Sequence, residues 1–322
     1  MRSFLPEGSL LHTAANQTAI QTMEGLRQAM QTNPIIASGG FRMQEETLKI
    51  SLFGMKQDSQ SKINCPVPAS IQFLIGIPEG TTRDIALISR AGKPVCFQVM
   101  DFTLDEQQRP LVLLSRRRVQ ELCWKTYLSL LHPGDIIPAK VTHLERFGCF
   151  VDIGCGIPSL IPIDTISVSR IAHPKDRFVA GQSIRAIVRS VGETQICLSH
   201  KELLGTWEEN AAQFSAGETV VGIVRSVESY GIFVELTPNL AGLAELKEQV
   251  LPGQCASVYI KALIPEKMKV KLVLVDVFEN DLPPAPLHYF VQQSHLSGWQ
   301  YAPDCCAKKR YLSFEEPEDD SK

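Results

Sequence analysis

Part of this chain is written twice. His132-Pro133-Gly134-Asp135 opens a stretch that closes on Phe147-Gly148-Cys149-Phe150-Val151-Asp152. Ala216-Gly217-Glu218 opens another that closes on Tyr230-Gly231-Ile232-Phe233-Val234-Glu235. Gly134, Val141, Gly148, Phe150 and Val151 recur as Gly217, Val224, Gly231, Phe233 and Val234 at one constant offset. A fixed spacing over many positions marks a copied folding unit, and it constrains the architecture before any local propensity is weighed.

The second half of the unit occurs three times. Ala91-Gly92-Lys93 precedes Val95, Phe97 and Val99; Ala180-Gly181-Gln182 precedes Ile184, Ala186 and Val188; Pro252-Gly253-Gln254 precedes Ala256, Val258 and Ile260. Alternation of period two marks strands with one buried face. Each leads to a further strand, at Leu111–Ser115, Gln195–Ser199 and Lys267–Val275. Helical stretches follow the first two, with Val119, Leu122, Cys123, Tyr127 and Leu130 on one side of the first and Leu203, Leu204, Trp207 and Ala211 in the second. These read as connectors.

The organisation predicted is an N-terminal arm (1–45) and a degenerate unit with its connector helix (46–128). A complete unit with connector follows (129–213), then an abbreviated unit (214–280) and a C-terminal tail with an acidic end (281–322). Ala15, Ala19, Met23, Leu26 and Met30 give the arm a weak helical face. The aromatic stretch from Tyr289 to Phe314 reads as a small extra hairpin.

The residues of 322 carry a net charge of −3. A protein that grips duplex DNA by charge alone shows a basic footprint, so the balance favours stacking joined to a local basic face. Nine cysteines without metal spacing read as reduced thiols of a cytoplasmic protein. No apolar run reaches signal-peptide or membrane-spanning length, so no membrane partner is expected. No phosphate loop, carboxylate pair, metal quartet or nucleophile elbow is present; the reading is of a non-enzyme with no cofactor and no metal.

The site candidates come from strand parity. Val151 and Ile153 share one face, Phe150 and Asp152 the other. An aspartate belongs in water, so Phe150 is expected there with it; Phe233 and Glu235 repeat the arrangement. Two exposed rings at equivalent positions suggest a stacking platform. Strand parity alone turns Phe147 and Tyr230 inward as core, whereas a bulge at Gly148 or Gly231 brings them to the platform side. Basic candidates are Lys267, Lys269 and Lys271 on one strand face, Arg185 and Arg189 on another, Lys140 beside His143, and the loop cluster of Arg170, His173, Lys175 and Arg177. Such charges position a phosphate backbone without reading its sequence; each also reads as an ordinary solvated surface, as do Arg116-Arg117-Arg118.

The pattern Gly134-Asp135, Val141, Phe147-Gly148-Cys149-Phe150-Val151-Asp152, His173-Pro174, Gly181-Gln182 and Leu198-Ser199 resembles the S1 RNA-binding domain. Gly217–Leu243 with Gly253–Val275 resembles an abbreviated copy, and Gly92–Ser115 the second half of another. The resemblance implies a mainly β chain of tandem five-stranded barrels of the oligonucleotide-binding (OB) type, joined by short helices behind a helical arm. It implies single-stranded RNA, mRNA included, as ligand, with Phe147, Phe150, Tyr230 and Phe233 as the platform. Ribosomal or RNA-processing proteins are implied as partners. The chain departs from the family at Pro162 and Glu245, where a histidine is common, and at Gln195, where an arginine is. A protein–protein adaptor built from degenerate barrels, or a noncatalytic accessory of an RNA-degrading enzyme, are the other readings.

Overall fold

The computed structural model describes residues 4–32, 36–44, 47–53, 70–73, 94–104, 108, 110–193, 195–280, 286–307 and 309–315. The chain divides into two compact units, Met1–Leu130 with Asp152–Pro158, and Leu131–Val151 with Ser159–Lys322.

In the first unit, helices α1 (Ala14–Gln21) and α2 (Met23–Thr32) precede strands β1 (Ile36–Gln44), β2 (Thr47–Phe53), β3 (Ser70–Phe73), β4 (Val95–Leu104) and β5 (Pro110–Ser115), then helix α3 (Arg116–Thr126). The helical arm expected as one weak stretch is two helices. It buries Ile20, Leu26 and Ala29, while Ala15 and Met30 face solvent. The barrel begins at Ile36, inside the span assigned to the arm. Ser115 caps α3 by accepting from the Arg118 N–H. Arg116, expected in water, is buried against Glu7, its Nε 2.7 Å from Oε1.

The second unit holds two barrels. The middle one comprises β6 (Ile136–Glu145), β7 (Gly148–Asp152), β8 (Pro158–Pro162), β9 (Ser183–Val191) and β10 (Ile196–Ser199). The last comprises β11 (Thr219–Glu228), β12 (Gly231–Thr237), β13 (Leu240–Ala244), β14 (Cys255–Ile264) and β15 (Lys269–Phe278). A 3-10 turn (Lys201–Leu204) and the short helix α4 (Trp207–Ala211) connect them, broken at Gly205, whose φ of +85° suits glycine. All three barrels close with one strand order, first-second-third-fifth-fourth, the third and fifth strands running parallel. The repeated sequence thus yields a repeated topology of the OB type. Beyond them, β16 (Gly298–Gln300) and β17 (Tyr311–Ser313) pair as the small hairpin expected of the aromatic stretch.

Inward positions obey the alternation. Val224, Ile232, Val234, Ala256, Val258 and Ile260 are fully buried in the last barrel, with Trp207 of α4 against them. Burial of such side chains is the main favourable term holding a barrel closed, about 25 cal/mol per Å² of apolar surface.

The two barrels of this unit are clamped together. Asn239 sits at the joint: its Oδ1 accepts from Val168 N–H at 2.9 Å, and its Nδ2 donates to the carbonyls of Lys201 and Gly205 at 2.8 and 2.7 Å. Beside it Arg177, from the loop between β8 and β9, donates to Glu235 of β12. Arg225 of β11 closes a fork on the same carboxylate at 2.7 and 3.0 Å.

Candidate nucleic-acid interface

In the middle and last barrels the hairpin between the first two strands carries the aromatic pair. In the middle barrel the turn is Arg146-Phe147, and β7 starts at Gly148; in the last the turn is Ser229-Tyr230, and β12 starts at Gly231. Phe147 and Tyr230 therefore lie in turns, where strand parity does not apply. Phe147 is 56% exposed and Tyr230 67%, which removes the core reading, and neither ring needs a bulge at its glycine. The glycines serve a close approach instead. A Cβ at Gly148 would stand 2.5 Å from the Ile161 carbonyl oxygen, and one at Gly231 2.6 Å from that of Ala244. Only glycine lets the second strand start so close over the third.

One turn-to-strand step beyond, Phe150 and Phe233 stand half-buried on the outer face. Phe147 meets Phe150 edge-to-face, centroids 5.9 Å apart at 89°. Tyr230 meets Phe233 at 6.1 Å and 89°. The same two-ring corner is thus built twice; in the middle barrel His143 adds a third ring, 6.4 Å from Phe150, with its Nε2 2.6 Å from Glu145.

Phe150 and Phe233 face outward as strand parity predicts, but the acids that share their parity are not in water. Asp152 is 4% exposed and Glu235 5%. Asp152 accepts from the N–H groups of Glu7, Gly154 and Gly156 at 2.7, 2.9 and 3.0 Å. Burial, with Glu7 nearby, pushes its carboxyl up to about 6, against the pull of those three donors. Glu235 lies under the two arginines of the interbarrel clamp.

Register extends the last barrel's platform. Phe233 on β12 is opposite Leu243 on β13, which is opposite Lys271 on β15. Directly paired residues point to one side, so Lys271 stands two strand spacings, about 10 Å, from Phe233. Lys269 and Lys271 are exposed on that strand, but Lys267 is not on it. Pro265–Lys267 is a 3-10 turn, and Met268, in the left-handed region at φ +48°, starts the strand only at Lys269. In the middle barrel the place of Lys271 falls to Cys197, paired with Leu160 of β8 and exposed. Arg189 is bulged out of β9 between Val188 and Ser190, and Lys261 is bulged out of β14 between Ile260 and Ala262. Both are exposed. The sequence reading missed Lys261, although the offset from Gly181 to Gly253 carries Arg189 onto it.

With this geometry stands the match to known proteins. A family model described as S1 RNA binding domain matches residues 131–201, which cover the middle barrel. Residues 131–201 are an S1 RNA-binding domain.

Around this S1 domain the chain is similar to small ribosomal subunit protein bS1 of Staphylococcus aureus. The two are 30% identical over 188 residues, 53% of this chain and 48% of that protein. It is similar also to a bS1 homolog of Bacillus cereus, 30% identical over 235 residues, 69% of this chain and 59% of that one. The chain spans about half the length of the curated relatives it matches. Among solved structures, a multidomain protein with nucleic-acid-binding domains from Streptococcus pneumoniae aligns over 75% of this chain and 73% of its own, at 13% identity and a TM-score of 0.25. At that score it adds nothing to what the barrels show.

The remaining candidates in the S1 domain divide by occupancy. Arg170 is exposed in its loop and Lys140 half-buried on β6. His173 caps the 3-10 turn Pro174–Asp176, its Nδ1 accepting from the Lys175 N–H at 3.1 Å. Arg177 is buried in the clamp, its guanidinium held below the usual range by burial, against the opposing pull of Glu235. Arg185, read as a phosphate contact, is occupied by the C-terminal segment. It donates to the carbonyls of Val291 and Gln293 at 2.5 and 2.7 Å and lies over the Tyr289 ring at 5.8 Å. Both of its terminal nitrogens are engaged there. The departures Pro162 and Glu245 fall at or just past the ends of β8 and β13, and Gln195 just before β10.

Proposed function

We propose that this chain binds single-stranded RNA on the outer faces of its middle and last barrels. Bases stack on Phe147 with Phe150 and on Tyr230 with Phe233, while Lys269, Lys271, Arg189 and Arg170 contact phosphates. The observation that carries the reading is the duplicated edge-to-face corner, at 89° in both barrels with centroids 5.9 and 6.1 Å apart. Neither turn ring is required by a core. Unpaired RNA suits such a surface because its bases splay out onto rings. Similarity to bS1 supports a ligand such as mRNA, a noncatalytic place in translation and a cytoplasmic, ribosome-associated setting. The test is titration of a labelled single-stranded oligonucleotide by fluorescence anisotropy at two salt concentrations. Measurable, salt-weakened affinity that falls when Phe150→Ala and Phe233→Ala are combined supports the reading; no affinity in the unaltered protein defeats it.

The adaptor reading has one observation in its favour. Arg177, Arg185 and Arg225 are turned to protein contacts, which thins the cations left for phosphate.

A further inference from the structure

The outer surface of the last barrel continues past Lys271. On β14, Tyr259 lies opposite Val273 of β15 on one side and Thr219 of β11 on the other. Tyr259 is 40% exposed. Lys261, bulged from the same strand, stands between Tyr259 and the Lys271–Ala262 pair. Read around the barrel, the outer face runs Tyr230, Phe233, Lys271, Lys261, Tyr259: rings at both ends and cations between, over four neighbouring strands.

The middle barrel shows what the same place looks like when closed. Register puts Ile187 of β9 where Tyr259 stands, since Ile136 pairs with Ile187 as Thr219 pairs with Tyr259. Ile187 is fully buried in a cluster with Leu203 and Phe314, under Tyr289, Val291 and Leu296 of the C-terminal segment. That segment also bonds the strand entrance, Leu296 N–H to the Gly134 carbonyl at 2.9 Å and Ile136 N–H to the Ser294 carbonyl at 2.8 Å. A Cβ at Gly134 would meet the Leu296 oxygen at 2.2 Å, whereas one at the equivalent Gly217 meets nothing within 4 Å.

We infer that Tyr259 and Lys261 form a further nucleotide subsite, in which the strand stacked on Tyr230 and Phe233 continues across β15 onto β14. The corresponding path on the middle barrel ends short because the C-terminal segment occupies it. The inference rests on the proposed RNA binding and assigns the last barrel the longer footprint. A groove that tracks the backbone with positive charge and offers successive rings is the general form of a single-strand site, and one such barrel covers roughly 4–16 nucleotides. Val221, Val273 and Val275 are also exposed on this face. The occupant is assigned as RNA because the face is continuous with the aromatic corner and Lys261 and Lys271 border it.

The test compares the full chain with the double variant Tyr259→Ala, Lys261→Ala, against oligouridylates long enough and too short to reach β14. Loss of one stack and one phosphate contact is expected to weaken the long oligomer on the order of tenfold and leave the short one unchanged. Both side chains are on the surface, so an unchanged melting curve verifies the fold. Equal affinity for the long oligomer, while Phe233→Ala still weakens both, overturns the subsite and leaves this face to a protein partner. A uniform loss for both lengths overturns it as well. If the unaltered chain binds neither oligomer, the RNA reading itself fails.

Discussion

Arg177 reaches out of the middle barrel to the buried carboxylate of Glu235 in the last, and Arg225 grips that carboxylate from the other side. Asp176 stands 3.5 Å from Arg225, so two arginines face two acids. The connector between these barrels is therefore no free hinge, and ligand spanning both meets a preset geometry. Glu235→Gln strips one negative charge from between two guanidiniums. Breaking a buried pair in this way costs about 3–5 kcal/mol. The expected outcome is a lower urea midpoint for the second unit and greater independence of the two barrels in NMR relaxation. Barrels that still tumble as one body, with unaltered stability, would refute the clamp.

The proposed phosphate contacts make a separate prediction. Lys269→Ala and Lys271→Ala should each lower affinity for any single-stranded sequence alike. Each should reduce the slope of log K against log salt by about 0.7, the value for one single-strand phosphate contact. Lys267→Ala, in the turn outside β15, should leave that slope in place. Anisotropy titrations over a salt series measure all three.

Strand periodicity and the repeat were enough to read the barrels, because inward alternation is imposed by the pleat and a copied unit repeats it. What they could not show was cover. Asp152 and Glu235 have the parity of outward residues and are buried, because one partner of each is remote: Glu7 is 145 positions from Asp152, and Arg177 reaches Glu235 from another barrel. Arg185 reads as a free cation until the C-terminal segment is folded onto it. Phe147 and Tyr230 defeated parity for a local reason: they belong to turns. The Phe-Gly order contained that signal, since a glycine opening a strand marks the end of the turn before it.

His200 gives the second unit an acid limb. Its ring is buried, Nδ1 2.9 Å from the Ile166 carbonyl and Nε2 3.1 Å from the Tyr289 hydroxyl. A neutral imidazole satisfies both, donating to the carbonyl and accepting from the phenol. Burial pushes its pKa down to about 4, and nearby Arg177 adds to the fall. The unfolded chain, with a histidine near 6.5, takes up its proton first. His200 alone thus costs stability as pH falls from about 6.5 to 4, by about 3 kcal/mol, while the raised carboxyl of Asp152 acts in the opposite sense. His200→Gln should flatten this part of the stability–pH curve, measured by urea denaturation at a series of pH values. An unchanged slope would show that another group carries it.

Cys197 offers a footprint of the middle barrel that does not depend on mutating the platform. It is exposed on β10 beside Leu160, at the place of Lys271 in the last barrel. Cys305 is exposed in the C-terminal segment, and Cys149 is buried with its thiol pushed up to about 12 by burial. Since the thiolate is the reactive form, alkylation of the native protein should reach Cys197 and Cys305 and spare Cys149. Single-stranded RNA lying across Phe150 passes over β8 and β10, so it should slow alkylation of Cys197 at least severalfold and leave Cys305 as an internal control. Peptide mass spectrometry after a timed iodoacetamide pulse reads both rates in one sample. Equal rates for Cys197 with and without saturating RNA would move the ligand off the middle barrel and leave the last barrel to bind alone.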